Sequence, residues 1–189
     1  AGVAAGGFLF HRNYAEQYEI KVRQELTAIG DLKVNELARF RQERLADAAI
    51  FFKNSAFASL VRRSLATPPD RDAQGQLRVW LMQYQVRYQY NCVFLLDTHA
   101  AARIAVPEAA TPLALALKPS VDDALESAKI VFHDFYRNDH DQRIYLALLV
   151  PIHDETTPGQ LLGVLGLRID HAVSLYPTIN RWPIPSATA

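Results

Sequence analysis

The sequence predicts an α+β fold, in which a long N-terminal helix packs on an antiparallel sheet of about five strands with short flanking helices. Residues 14–65 contain no proline and are rich in Glu, Gln, Arg, Leu and Ala, all of which favour helices. The second half of the chain carries short apolar runs bounded by turn residues, which indicate strands. Because these runs are apolar on both faces, we expect the long helix to cover one face of the sheet and loops or short helices the other.

The N-terminal helix is predicted from the spacing of its apolar residues, which recur at steps of mostly three and four. They are Tyr18, Val22, Leu26, Ile29, Leu37, Phe40, Leu45, Ala48 and Phe52. A helix of about 40 residues reaches about 60 Å, so it either protrudes from a domain or packs along the whole of one. A second helical piece starts at Asn54–Ser55 and is ended by the prolines after Thr67.

Local patterns predict the remaining elements. In chain order they are a helix over 76–89, a hairpin of strands 92–97 and 103–106, a short helix over 121–128, a meander of strands 129–136, 143–152 and 161–170, and a closing helix over 171–179. Gly163 and Gly166 inside the last strand indicate a bulge or a close approach of neighbouring backbone.

Composition excludes several classes of protein. The chain has 189 residues, of which 50% are hydrophobic and 21% charged, so it is not a disordered protein; one domain, or one domain and a fragment, is expected. Lys and Arg together number 20 and Asp and Glu also number 20, so the positive footprint of a nucleic-acid-binding protein is missing. The single cysteine, Cys92, excludes an internal disulfide and a cysteine-based metal site.

No motif for catalysis is present: Gly-x-Ser-x-Gly, His-Glu-x-x-His and phosphate-loop patterns are all missing from the sequence. His133, His140 and the flanking Asp139 and Asp141 are a conceivable metal site. However, Asp139–Asp141 lie in a predicted hairpin turn, where Asn and Asp are favoured because their side chains hydrogen-bond the turn backbone. Cys92 lies in an apolar strand, where a thiol is an inert small side chain. We therefore expect no catalytic residue, no metal and no cofactor.

Polar and aromatic side chains inside the apolar strands are the candidates for a ligand-binding pocket, which needs a few convergent donors and acceptors in an apolar lining. The candidate ligand-binding residues are Arg103, His133, Tyr136, Arg143, Tyr145 and Asp170. Arginine binds carboxylates through paired hydrogen bonds. The alternative is that these are strand-end residues that are solvated or paired with each other, for example Arg143 with Asp141.

Three stretches, taken together, resemble one family. They are the apolar strand Val93–Asp97 ending in Asp, the strand end Val150–Asp154 and the run Leu162–Asp170. In this order after a long helix, they resemble the membrane-distal lobe of the double-Cache (PAS-like) sensor domains of bacterial transmembrane receptors. Among amino-acid-binding members, Asp170 falls where the resemblance places an acidic ligand contact, whereas an Arg-x-Trp-Tyr cluster is not recognisable.

The resemblance implies a division of the chain into four parts. Residues 1–13 are a membrane-helix remnant or a fusion remnant, although a buried segment of an ordinary domain is a third interpretation. Residues 14–70 are the long helical region, residues 71–176 are the PAS-like Cache lobe, and residues 177–189 lead towards a second lobe.

The resemblance also implies a function. Such a domain lies on the periplasmic side of the bacterial inner membrane, with flanking membrane helices outside this chain, and forms a homodimer through its long N-terminal helix. It binds a small polar molecule, a carboxylate or an amino acid, and passes a conformational change to a histidine kinase or a diguanylate cyclase. The alternatives are a cytosolic PAS- or GAF-like module for small-molecule binding or dimerisation, and an enzyme without a recognisable motif.

Overall fold

The structure, a computed structural model, describes the backbone of residues 2–108 and 113–180, and the side chains of these residues from Tyr18 onward except that of Thr178. The chain divides into two units, one of residues 1–40 with 178–189 and one of residues 41–177. The predicted α+β fold, with a long N-terminal helix, a five-stranded antiparallel sheet and short helices, is confirmed. Within the described residues, no helix carries an apolar stretch long enough to span a membrane.

Helix α1 runs from Gly2 to Ala49, and the predicted second helical piece, α2, spans Ser55–Leu65. Lys53 has a φ of 56° in the left-handed region, which ends the helical path. Asn54 then caps α2, because its side-chain oxygen accepts a hydrogen bond from the Phe57 backbone N–H at 3.0 Å while its amide donates to the Ile50 carbonyl at 3.1 Å. One asparagine thus joins the two helices.

Helix α3 spans Arg71–Arg87 and begins five residues before the predicted start at Gln76. The earlier start is explained by Asp70, which caps the helix. Its carboxylate accepts a hydrogen bond from the Ala73 backbone N–H at 3.1 Å and another from Arg63 Nε at 2.9 Å. Helices α2 and α3 pack on each other and contact the sheet.

The sheet has the strand order β2-β1-β5-β4-β3, and every neighbouring pair is antiparallel. Its strands are β1 Cys92–Asp97, β2 Ala102–Val106, β3 Val131–Arg137, β4 Ile144–His153 and β5 Leu161–Asp170. The predicted meander β3-β4-β5 is present, and the β1-β2 hairpin joins it through β5. The last strand of the described residues is therefore the central strand of the sheet.

The two faces of the sheet are covered by different helices. On one face, α2 and α3 contact the sheet, and the last turns of α1 join them where the Arg41 guanidinium lies 5.0 Å from the centre of the Phe132 ring. The other face, here called the α4 face, is covered by a 3₁₀ turn, Leu115–Leu117, and helix α4, Lys118–Ser127. The predicted closing helix is two short helices, α5 His171–Ser174 and α6 Tyr176–Ile179.

The glycines of β5 confirm the predicted close approach. A Cβ at Gly163 would overlap the Leu96 carbonyl, and a Cβ at Gly166 would overlap the ring of Phe94, which lies across from it on β1. The Phe94 ring thus occupies the space over Gly166 at the centre of the α4 face.

Candidate ligand-binding site

Polar side chains gather at one end of the α4 face, where the sheet register places four of them side by side. Tyr136 on β3 pairs with Tyr145 on β4, and Tyr145 pairs with Asp170 on β5. Arg168 lies two residues before Asp170 and therefore on the same face. Both tyrosines are buried, and their ring centres are 6.3 Å apart.

Arg168 is the buried cation of this cluster, with only 5% of its surface exposed. Its Nε donates a hydrogen bond to Asn91 Oδ1 at 2.7 Å, and its guanidinium carbon lies 4.8 Å from the centre of the Tyr145 ring. The residues paired with it on the neighbouring strands, Cys92 and Ala147, are small. A buried charge is tolerated only with such hydrogen bonds and an ordered environment, so the sheet holds this guanidinium in one place.

Tyr145 links the cluster to the turn between β3 and β4. Its hydroxyl donates a hydrogen bond to Asp141 Oδ2 at 2.7 Å, while Asp141 Oδ1 accepts one from the Arg143 backbone N–H at 3.0 Å. Burial raises the pKa of Asp141, but these two hydrogen bonds and the charge of Arg168 outweigh it and hold the pKa below its ordinary value. Asp141 is therefore ionised at neutral pH.

Tyr136 has a buried hydroxyl for which the described residues provide no hydrogen-bond partner. Only 6% of the residue is exposed. Burial raises the pKa of this hydroxyl, against the opposing effect of the Arg168 charge, so it is a neutral donor. A buried polar group without a partner costs about 1–3 kcal/mol, and such a group calls for a specific explanation.

His133 ties α4 to the sheet beside Tyr136. Its Nδ1 lies 2.6 Å from Ser120 Oγ on α4, and its ring packs edge-on against Tyr136 with 5.2 Å between ring centres. Burial lowers the pKa of His133, and the nearby charge of Asp134 only partly opposes this. The imidazole is therefore neutral at pH 7 and forms a hydrogen bond between β3 and the helix above the cluster.

The structure brings together four of the six residues predicted to bind a ligand: His133, Tyr136, Tyr145 and Asp170. Asp170 is partly exposed and caps α5, since its carboxylate accepts a hydrogen bond from the Ala172 backbone N–H at 2.9 Å. Arg143 is exposed at the start of β4, where only its backbone contacts Asp141.

Arg103 lies apart from the cluster, on the outermost strand of the opposite edge of the sheet. Its Nε donates to Asp97 Oδ2 at 2.7 Å, and the pair borders a cavity of about 380 Å³ next to the loop between α2 and α3. The roles of all six residues in binding stay predictions.

Two members of the cluster, Arg168 and Asn91, were missed by reasoning from the sequence. The signal for Arg168 was a lone charge within the apolar run Leu161–Ile169, two residues before Asp170, which was predicted to bind a ligand. A larger open groove of about 700 Å³ lies elsewhere, on α3 beside Trp80, Met82 and Val86. Its lining is mostly apolar and lacks the convergent polar groups of the α4 face, so the α4 face is the better candidate for binding a polar molecule.

Solved structures with the same architecture identify the fold. The ligand-binding domain of the Campylobacter jejuni chemoreceptor Tlp3, in complex with 4-methylisoleucine, matches with a TM-score of 0.64 and 17% sequence identity, over 83% of this chain and 61% of that one. The fold is similar to that of chemoreceptor ligand-binding domains, which are Cache-type sensor domains. The predicted resemblance is confirmed to this extent, and the assignment to the membrane-distal lobe of a double-Cache domain stays a prediction.

Two Pseudomonas aeruginosa chemoreceptor domains share this fold. That of PctC, in complex with GABA, matches with a TM-score of 0.55 and 18% identity, over 82% of this chain and 66% of that one. That of PctB, in complex with L-Gln, matches with a TM-score of 0.58 and 14% identity, over 84% of this chain and 59% of that one. The chain spans about three fifths of the length of the Tlp3 domain. No protein-family model and no curated protein matches the sequence.

Proposed function

We propose that this chain is the ligand-sensing domain of a bacterial membrane receptor, displayed on the periplasmic side of the inner membrane. The observation that carries the proposal is the polar cluster of the α4 face, in which Tyr136, Tyr145 and Arg168 are buried and Asp170 is partly exposed at the border. The solved domains with this fold are named as ligand-binding domains of chemoreceptors and hold small amino-acid-like molecules, which supports a small polar ligand here.

Binding at the α4 face couples a ligand to a change of packing. Arg168 and the Tyr136 hydroxyl are buried, so a ligand reaches them only when α4 or the turn around Asp141 moves. The hydrogen bond between Ser120 and His133 is one of the contacts that resist this movement. A ligand that binds the opened arrangement more tightly than the closed one shifts the population between the two, which is the physical basis of a sensor.

A homodimer through α1 is the second part of the proposal. In α1, apolar residues recur with a period of eleven, because Tyr18, Ile29 and Phe40 are each eleven residues apart, as are Leu26 and Leu37. Tyr18, Leu26 and Leu37 are exposed by 63%, 58% and 40%. An eleven-residue period keeps one apolar stripe in line along a nearly straight helix, which suits two copies packed side by side.

We further propose that the receptor carries a second lobe after this one and a histidine kinase or a diguanylate cyclase as its output. The support is that similar solved domains are longer than this chain, which spans about three fifths of the Tlp3 domain. Sequencing the gene on both sides of the chain tests this. A second sheet-bearing segment and two membrane spans support it, whereas a hydrophilic upstream sequence contradicts it.

Ligand binding is tested by a thermal-shift screen of small carboxylates, amino acids and amines against the chain, followed by hydrogen exchange of each binder's complex. We expect a binder to raise the melting temperature and to change the exchange of α4, β3 and the Asp141 turn. Protection confined to the groove beside Trp80 would contradict the assigned site. Consumption of a binder during incubation, followed by mass spectrometry, would support an enzyme instead.

A further inference from the structure

The cavity at the β2 edge of the sheet is bounded by three parts of the fold. It is lined by the end of α2 with the loop after it, by Gln74 of α3 and by residues of the β1-β2 hairpin. Its volume of about 380 Å³ lies within the range of small-molecule sites. We infer that this cavity binds a small neutral molecule rich in hydroxyl groups, such as a polyol, independently of the sensing function proposed for the α4 face.

The charges at the cavity cancel. Within the described residues, Asp97 and Arg103 are the only charged side chains that line it. Asp97 Oδ1 accepts hydrogen bonds from the backbone N–H groups of His99 at 2.9 Å and Ala101 at 3.0 Å, and Oδ2 accepts one from Arg103 Nε at 2.7 Å. Burial raises the pKa of Asp97, but these hydrogen bonds outweigh it and hold the pKa below its ordinary value. The ionised carboxylate therefore compensates the guanidinium.

The remaining edge of Arg103 supplies hydrogen-bond donors. Its Nε and Nη2 both face Asp97 Oδ2, and Nη2 lies 2.5 Å from that oxygen. Within the described residues Nη1 has no partner, although 55% of the Arg103 side chain is exposed. Because the ion pair fixes the plane of the guanidinium, Nη1 is pre-organised for an acceptor on a ligand.

The end of α2 supplies acceptors. Ser64 is buried, and Leu65 and Ala66 follow it in the lining. Carbonyls in the last turn of a helix lack intrahelical donors, so this end of α2 carries a partial negative charge. Gln74 Nε2 donates to the Ser64 carbonyl at 3.2 Å, which leaves the amide oxygen of Gln74 as a further acceptor. The hydroxyl of Thr67 completes the polar lining.

This mixture of groups favours hydroxyls over charged groups. A hydroxyl donates one hydrogen bond and accepts others, so a polyol accepts from Arg103 Nη1 and donates to the acceptors of α2 and Gln74 at the same time. An anion would meet the partial negative charge at the end of α2. A cation would meet the guanidinium, while both oxygens of Asp97 are already engaged. A charged ligand would thus lose its hydration without an opposite charge to offset the loss.

Matched polyols test the inference by calorimetric titration of the whole chain. The heat of binding is the readout, because polyols also stabilise proteins by exclusion from their surface and shift a melting temperature without binding. The screen contains glycerol, erythritol, ribitol, mannitol and myo-inositol. Each binder is compared with its charged derivatives, which for ribitol are ribonate and 1-amino-1-deoxyribitol.

We expect at least one polyol to bind and its charged derivatives to bind at least about tenfold more weakly. Equal or tighter binding of a charged derivative would overturn the inference, and so would the failure of every polyol. Neither result bears on the sensing function, which the screen against the α4 face tests separately.

Hydrogen exchange of the polyol complex locates the site. We expect protection of the loop 66–70 and of the hairpin 97–103, which border the cavity. Protection confined to α4, β3 and the Asp141 turn would overturn this site and support the sensing function at the α4 face instead.

A pair of arginine variants tests the donor edge. Arg103→Lys keeps a positive charge beside Asp97 and removes Nη1, so we expect the dissociation constant for the polyol to rise at least about tenfold. Arg87→Lys makes the same change at an exposed position in the last turn of α3 and is the control. We expect that variant to bind within about twofold of the native protein.

Thr67→Val removes a hydroxyl from the lining and keeps the shape of the side chain. Within the described residues this hydroxyl has no hydrogen bond, so we expect unchanged stability and about fivefold weaker binding, as for the loss of one hydrogen bond. Thr157→Val, at an exposed position between β4 and β5, is the control and should bind as the native chain does. Should Arg103→Lys fail to fold, Thr67→Val decides the outcome, and unchanged polyol affinity in it would overturn the assignment.

Discussion

The hydroxyl of Tyr145 donates a hydrogen bond to the carboxylate of Asp141, 2.7 Å away, and so joins strand β4 to the turn that precedes it. The same ring lies against the Arg168 guanidinium. One tyrosine thus connects the turn at the border of the candidate site with the buried cation inside it. A displacement of the turn or of the guanidinium therefore acts on the same Tyr145 side chain.

Removing the hydroxyl in Tyr145→Phe is expected to raise the pKa of Asp141, because one of the hydrogen bonds that hold this pKa below its ordinary value is lost. The pKa is measured by following the carboxyl carbon by NMR during an acid titration. Stability from Asp141 is present above its unfolded pKa of about 3.9 and is lost as the pH falls through the lower folded value. The variant should therefore lose less stability in acid than the native chain, and an unchanged Asp141 pKa would contradict the contact.

Gly166→Ala is expected to destabilise the sheet by about 1–3 kcal/mol, because the added methyl group overlaps the buried ring of Phe94. Gly30→Ala is the matched control. Nothing lies within 4 Å of a methyl group at that helical position, so stability should rise by about 0.5–1 kcal/mol. Urea unfolding measures both. Equal effects of the two substitutions on the free energy of unfolding would mean that Phe94 does not lie over Gly166. We also expect Phe94→Leu to restore part of the stability lost in Gly166→Ala.

Lowering the pH from about 7 to about 5 is expected to destabilise the domain through His133. Its folded pKa lies below the unfolded value of about 6.5, so the unfolded chain takes up the proton first. The contribution of neutral His133 is therefore complete above about pH 6.5 and is lost as the pH falls towards the lower folded pKa. Urea unfolding at pH 7.5, 6.5 and 5.5 should show a smaller loss for His133→Asn than for the native chain, whereas His99→Asn, at an exposed loop position, should retain the native loss.

Leu26→Glu is expected to weaken self-association of the chain by at least about tenfold, because it places a charge in the apolar stripe of α1. Gln24→Glu introduces the same charge about 200° away around the helix and is the control. Sedimentation equilibrium over a range of concentrations measures the association constant. Native chain that remains monomeric at millimolar concentration would contradict a dimer through this helix.

Much of the fold was predictable because its signals are local. The steps of three and four that end near Phe52 and the prolines after Thr67 mark helices without any knowledge of the partner surfaces. The start of α3 was misplaced because Asp70 acts as a cap only when its carboxylate reaches Ala73 and Arg63. The short α4 likewise begins three residues before the predicted Val121.

The candidate site was only partly predictable, since it depends on which strands become neighbours. Tyr136 and Arg103 were equally plausible from the sequence, because each is a polar residue in an apolar strand. The pairing of β1 with β5 places Arg103 at the far edge of the sheet and Tyr136 in the cluster. Arg168 gained its importance from the register with Cys92 and Ala147, which no local pattern encodes.

Strand β5, the last strand in the part of the chain that the structure describes, lies at the middle of the sheet and is hydrogen-bonded on both sides. A strand in that place has no free edge along which it can slip, so a tilt imposed at Arg168 is transmitted along its backbone. Two residues later the same backbone becomes Asp170, which starts α5. No loop separates the buried cation from α5, so in the proposed sensor a displacement of Arg168 would reach the start of α5 through the backbone of β5 alone.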